Sequence, residues 1–215
     1  MIGFLGGTGP EGRGLALRLA LAGERVMLGS RDLAKARQAA ERVKAKAPSA
    51  QVLAAENAQV AAQADIVFVV VPYEAQAAVL KPLAEVLARK VVVSAVAPVV
   101  FAQGRFAAVP VPEGSAAAQA QRLLPRSQVV AAFHHVSAVD LWVPDRVVEG
   151  DVVACSDYQA GKERVMALVR RIPNLRPVDG DGLENARYVE EVTALLLSIN
   201  RLHNARTMIK IVGLS

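Results

Sequence analysis

One cysteine, Cys155, stands among the 215 residues, so no internal disulfide framework and no cysteine-built metal site is available. Aromatic side chains are also scarce, at 4% with a single tryptophan, Trp142. The core must therefore be aliphatic, and the basic residues have no aromatic platforms among them on which bases would stack. The surplus of positive charge is only +5. Its densest run, Arg31, Lys35, Arg37, Arg42, Lys44 and Lys46, suits the border of an anionic small molecule better than a nucleic-acid surface. The longest uncharged apolar stretch, Val91 to Ala102, contains Pro98 and falls short of the roughly 20 residues a membrane helix needs. The chain opens on a strand-like segment with no charged leader. We therefore expect a soluble, cytoplasmic protein that partners neither nucleic acid nor membrane. The G-x-x-x-x-G-K-[ST] loop, the G-x-S-x-G elbow and H-E-x-x-H are all missing.

What is present is concentrated at the start. Met1 to Leu5 reads as a buried strand, followed at once by Gly7-x-Gly9-x-x-Gly12 and a helix-period pattern from Arg13 to Ala22. Strand, glycine turn and helix in that order are the context of a dinucleotide fingerprint. One glycine makes the tight turn, one admits a pyrophosphate, and one lets the helix close on the strand. The helix N-terminus adds unpaired N–H groups and partial positive charge. A second strand, Glu24 to Gly29, leads into Gly29-Ser30-Arg31, where an NAD site would carry an acidic residue for the ribose 2′-hydroxyl. A hydroxyl and a guanidinium suit a 2′-phosphate instead. Lys35 follows one helical turn later, and Asp32 is placed to cap that helix. NADP is the expected dinucleotide.

The rest alternates in the same manner. Helix at Leu33 to Lys46, strand at Gln51 to Leu53, helix at Asn57 to Ala64, strand at Asp65 to Val71, helix from Tyr73 to about Arg89 and strand at Lys90 to Ser94 follow in turn. The near-continuous β-branched run after Asp65 indicates burial on both faces, as in a parallel sheet. Ala95 to Pro112 reads as irregular chain across the carboxyl edge of the sheet. A helix at Ser115 to Leu124 and a sixth strand at Gln128 to Phe133 lead into His134-His135-Val136. Val139 to Gly150 reads as a loop, Asp151 to Cys155 as a strand, Ala160 to Arg171 as a helix and Arg176 to Asp179 as a strand. Leu183 to about Thr207 reads as a long helix, with Val189, Val192, Leu195, Leu196 and Ile199 as its core stripe; Met208 to Val212 is a candidate last strand.

Tyr158-x-x-x-Lys162 mimics the catalytic pair of short-chain dehydrogenases. The glycine spacing does not match that family, no serine stands about a dozen residues upstream, and Tyr158 follows a late strand. A helix-start tyrosine with a solvated lysine is the better reading. The adjacent His134 and His135 should point opposite ways at a strand end, which disfavours a shared metal.

The chain resembles the coenzyme F(420)-dependent NADP reductases (F420 below) along nearly its full length. The resemblance is carried by Leu5-Gly6-Gly7-Thr8-Gly9 with Gly12-x-Gly14-Leu15-Ala16-Leu17-Arg18-Leu19, and by Gly29-Ser30-Arg31 with Lys35. Val71-Pro72-x-Glu74, Ser115-Ala116-Ala117, the approach to His134 and Leu175-Arg176-Pro177 continue it. It implies an α/β fold, a Rossmann-type doubly wound parallel sheet in residues 1–135 with a smaller α/β lobe in 136–215 that completes a substrate cleft. The implied activity is hydride transfer between NADP(H) and the 5-position of the deazaflavin F420. By the same resemblance, Thr8, Ser30, Arg31 and Lys35 hold the 2′-phosphate, and Gly9, Pro10 and Glu11 follow the pyrophosphate within the Gly7–Gly12 turn. Val71, Pro72, Ala97 and Ala138 line the dinucleotide path, while His134 and Val136 border the deazaflavin. A homodimer is the family expectation. No catalytic proton donor and no metal are expected, since a hydride passing between stacked rings needs orientation and dryness. His135 and Ser137 stand where the family pattern has Thr and Pro. The alternatives are a reductase of the same fold acting on flavin or ferric iron, and a silent NADP-binding sensor.

Overall fold

The computed structural model describes residues 1–214. Along the chain come β1 (Ile2–Leu5), α1 (Pro10–Leu21), β2 (Val26–Ser30), α2 (Leu33–Lys46), β3 (Val52–Glu56), α3 (Asn57–Gln63) and β4 (Ile66–Val69). Next are α4 (Tyr73–Leu80), β5 (Val91–Ser94), β6 (Val99–Ala102), β7 (Arg105–Ala108), α5 (Ala116–Leu123) and β8 (Gln128–Ala131). The chain closes with α6 (Ala138–Leu141), β9 (Gly150–Ala154), α7 (Gln159–Arg171), β10 (Leu175–Asp179) and α8 (Ala186–His203).

Six strands pair in the order β3-β2-β1-β4-β5-β8, every neighbour parallel. This is the doubly wound α/β arrangement expected from the alternating pattern. β1 and β4 lie innermost, which is why their residues are apolar on both faces; all four residues of each are buried. Phe4 stacks on Phe68 across that pair at 5.0 Å, and Phe133 leans on Phe68 at 5.5 Å. β9 and β10 form a separate parallel pair, tied to the end of β8 by an Ala131–Cys155 bridge. Burial lifts the Cys155 thiol to about 11, so it stays protonated and inert.

Several segments depart from the expectation. Ala95 to Pro112 is not irregular: β6 and β7 make an antiparallel hairpin. Its turn places Gln103 and Gly104 at φ 51 and 78, the paired positive φ that a two-residue hairpin uses. The strands are short and mostly exposed, so they carry no alternating pattern to read. The helix from Tyr73 stops at Leu80 and tightens into a 3₁₀ turn, Lys81–Leu83, at Pro82, whose ring removes a backbone donor. A short helix, α6, interrupts the expected loop after Val139. Beyond α8, Asn204 turns left-handed at φ 48, and Met208 to Val212 joins no sheet. That tail is instead strapped to Asp151: the Asp151 N–H donates to the Ile209 carbonyl at 2.8 Å, and the Ile211 N–H donates to Asp151 Oδ2 at 2.5 Å. Arg176, paired with the same carboxylate at 2.7 Å, donates to the Ile211 carbonyl and holds Asp151 below the usual carboxylate range.

The apolar stripe expected in the core on α8 is mostly not buried. Val189 is buried, but Leu195 is 57% exposed, and Val192, Leu196 and Ile199 are only half-buried. The helix packs on the β6–β7 hairpin instead. Its deepest charged residue is Glu190, 2% exposed, which accepts from the Ala116 and Ala117 N–H groups at 2.7 and 3.0 Å. These are orphan donors at the start of α5. Burial lifts this carboxyl to about 7, against the lowering effect of the two N–H bonds. Glu190→Ala should lower stability by about 2 kcal/mol or more, since two buried donors lose their acceptor, and Glu190→Gln by less; urea unfolding curves measure both.

Candidate active site

The carboxyl ends of β1, β2 and β4 open onto a groove of about 230 Å³ lined by Thr8, Gly9, Ser30, Arg31, Val71 and Pro72. It shares Ser30, Arg31 and Asn57 with an adjoining hollow of about 700 Å³ walled by Ala78, Val79 and Leu83. The tight turn after β1 falls on Gly6, φ +72, one residue ahead of the glycine motif. A Cβ there would come within 2.3 Å of the Val71 side chain. Gly12 serves the close approach of turn and helix, since a methyl on it would sit 2.7 Å from the Gly7 Cα. A Cβ on Gly9 would meet nothing within 4 Å, so that face of the turn is open to a ligand. No side chain caps α1, and Pro10 occupies its first turn. The next backbone N–H groups are therefore free to meet an anion.

At the tip of β2, Ser30 is buried and its Oγ accepts the Asp32 N–H at 3.1 Å. Asp32 caps α2, accepting from the Ala34 and Lys35 N–H groups at 2.9 and 3.3 Å, which keeps its carboxylate on helix duty. Arg31 is exposed, and among the described residues its guanidinium has no hydrogen bond or ion pair. Lys35 is exposed one turn along α2 and lines neither space. Phosphate oxygens fit this set: an unpaired guanidinium, a hydroxyl and an uncapped helix start around one groove.

A second cavity, about 320 Å³, lies beyond the same turn and is lined by Glu11, His134, Val136, Ala138, Thr193 and Asn200. Glu11 and Ala138 thus face this side rather than the groove with Thr8 and Arg31. Ala97 follows β5 and lines neither. Phe133 takes a left-handed φ of 72 as the chain leaves the sheet, and the two histidines then part. The His135 Nε2–H donates to the Asp151 carbonyl at 2.7 Å. His134 is buried with no partner on either ring nitrogen. Burial, aided by His135 and opposed by the Ser94 backbone, lowers its pKa to about 3, so it is a neutral imidazole. The Thr193 hydroxyl donates to the His134 carbonyl at 3.2 Å and ties α8 to the cavity. Glu11 Oε1 is buried without a partner, and burial raises that carboxyl to about 8.

Residues 1–98 match the family described as NADP oxidoreductase, coenzyme F420-dependent. The F420-dependent NADP reductase of Methanothermobacter marburgensis is 39% identical over 213 residues, 95% of each chain. Its namesake from Methanocaldococcus jannaschii is 35% identical, covering 99% of this chain and 98% of the relative. The chain belongs to the F420-dependent NADP reductase family. A crystal structure of a putative F420-dependent NADP-reductase from Arthrobacter sp. FB24 superposes with a TM-score of 0.83 at 28% identity, over 98% of both chains.

For a reductase of this family, four contributors carry no signal in the sequence. Asn57, which reads only as a helix start, accepts the Gly6 N–H on Oδ1 at 3.2 Å and lines the groove. Thr193 and Asn200 come from α8, over 50 residues beyond His134, with no local signal. Arg18 sits within a Leu/Ala run and is 7% exposed. Its Nε donates to the Leu141 carbonyl at 2.9 Å, and Nη2 reaches the Asp140, Val143 and Arg146 carbonyls at 2.7 to 2.8 Å. That fork fastens the segment after Ala138 to α1. Arg18→Met should lower stability by about 3 kcal/mol, the range for bonds to a charged donor. Hydrogen exchange should quicken most in residues 138–146, by local opening, and in β1 and β4 by no more than the loss of global stability.

Proposed function

We propose that this protein transfers a hydride between NADP(H) and the deazaflavin coenzyme F420. The observation that carries the reading is that one turn, Gly9 to Gly12, separates an anion-ready groove from a second cavity lined by the neutral His134 and Glu11. In this reading Thr8, Ser30 and Arg31 hold the 2′-phosphate, with Lys35 closing on it from α2. The Gly9 face and the first N–H groups of α1 follow the pyrophosphate. The apolar wall of Ala78, Val79 and Leu83 takes the adenine. Val71, Pro72 and Ala97 accompany the nicotinamide half toward Ala138, and His134 and Val136 border the deazaflavin. With both coenzymes bound, the hydride passes directly between nicotinamide C4 and deazaflavin C5. The chain's share is to orient the rings, exclude water and keep His134 neutral beside them.

Residues 1–135 form the nucleotide lobe in this reading, and 136–215 complete the cleft. A cytoplasmic homodimer belongs to the same reading. The exposed Tyr188, Leu195 and Leu202 on α8 support pairing of two copies, and among the described residues no helix is long and apolar enough to cross a membrane.

Arg31→Ala should weaken NADPH binding by about 1.5–3 kcal/mol and leave NADH nearly unchanged; calorimetry on both cofactors decides, and equal losses would remove Arg31 from the phosphate. Anaerobic mixing of protein, NADPH and oxidised F420 should bleach the deazaflavin's visible absorbance. Bleaching absent, with turnover on flavin or ferric chelate, would reassign the acceptor. Tight NADPH binding without turnover on any of them would make the protein a sensor.

A further inference from the structure

Reduction of a 5-deazaflavin by NADPH consumes one proton: NADPH, deazaflavin and H⁺ give NADP⁺ and the 1,5-dihydro ring. The hydride supplies the hydrogen at C5. The electron pair it brings is delocalised to the N1–C2 carbonyl edge, which then takes the proton at N1. A ring seated in this cavity needs a group beside N1 to provide it.

Few groups in the cavity are free to do so. His134 is neutral and its imidazolium is inaccessible near pH 7. The His135 Nε2–H is committed to the Asp151 carbonyl. Arg206, from the tail, is paired with Asp140 at 2.9 Å. From α8 come the Thr193 hydroxyl, which donates to the His134 and Val189 carbonyls, and Asn200, whose Oδ1 accepts from Thr207. Glu11, from the first turn of α1, remains: its Oε1 is buried in the structure with no partner, in the cavity that His134 also lines.

We propose that Glu11 is the proton donor of the hydride-transfer site, its carboxyl bonding to the N1–C2 carbonyl edge of the deazaflavin and passing its proton to N1 as the hydride reaches C5. This rests on the function assigned above. The Oε–H bond breaks, N1–H forms, and the carboxylate regains a proton from solvent when product leaves; in the reverse direction the carboxylate removes the N1 proton. Burial, which lifts the carboxyl to about 8, keeps it protonated at neutral pH and near the value that serves a general acid. A helix N-terminus alone would favour the carboxylate. A dinucleotide pyrophosphate on the same turn would oppose it, because a like charge raises the pKa further. The donor form is lost as pH rises through that pKa, so deazaflavin reduction should slow above it while F420H2 oxidation gains.

The test compares wild type, Glu11→Gln and Glu11→Asp by stopped-flow bleaching of F420 with NADPH over roughly pH 6 to 10, the span around a general acid of this pKa. NADPH affinity is measured separately by calorimetry. The wild type should show a single falling limb at or above about 8, since the bound pyrophosphate can only raise the value. Glu11→Gln should bind NADPH within about twofold of wild type, reduce F420 about 100-fold more slowly at neutral pH, as for a lost general acid, and lose the limb. Glu11→Asp should recover part of the rate with the limb displaced, and decides the matter alone if Glu11→Gln does not fold. A Glu11→Gln protein with wild-type rate and limb overturns the proposal and leaves the function standing. So does a rate loss matched by an equal loss of NADPH affinity. A wild type that binds NADPH but never bleaches F420 overturns the function, and the proposal with it.

Discussion

A gap too small for a methyl group sets the direction of α1. Position 12 lies so close to the Gly7 Cα that the helix can leave the first strand only along one line. That line aims its uncapped start between the groove and the buried cavity. Everything assigned to the site follows from it: the open face at Gly9, the free N–H groups beyond Pro10, and the Glu11 side chain turned to the far side. The same helix carries Arg18, whose guanidinium gathers four carbonyls of the segment after Ala138. One helix therefore both borders the groove beside Thr8 and Gly9 and anchors the wall of the neighbouring cavity.

The two spaces differ in electrostatic character. The groove ends in Arg31, exposed and unpaired, where solvent screens charge and a phosphate would supply the missing partner. The cavity is arranged the other way. Burial removes charge from His134 and Glu11 alike, holding one far below and the other far above its ordinary pKa. A hydride moving between two rings is sensitive to local charge, and neutral side chains beside them leave orientation as the main influence on its transfer. Asp151 and Arg176 stabilise this arrangement at a distance, fixing both His135 and the chain tail.

Short-range patterns were readable where one residue type has one physical use. The β-branched run of β4 marked a central strand, and Gly29-Ser30-Arg31 marked the tip of β2. Asp32 served as a cap because its neighbours offer two orphan N–H groups. Patterns failed where the neighbour decides. The apolar positions of α8 suggest a buried stripe, yet the helix packs on the β6–β7 hairpin and leaves Leu195 exposed. The hairpin at Val99 to Ala108 hid because its strands cover α8 rather than enter a core. The tail after Asn204 is apolar like a strand, but its backbone bonds go to Asp151, Arg176 and Asn200 rather than to a neighbouring strand.

By itself the sequence determined the parallel α/β frame, the position of the glycine turn, the Ser30–Arg31 pair at the tip of β2 and the family resemblance. These depend on contacts between residues near one another in the chain, which leave periodic and spaced signatures. Only the tertiary structure decided which way Glu11 faces, that Arg18 is a clamp, and that Thr193, Asn200 and His134 share one cavity. Those are meetings of distant segments, and burial, the agent that makes Glu11 neutral, is a property of the packed molecule that no single stretch of chain encodes.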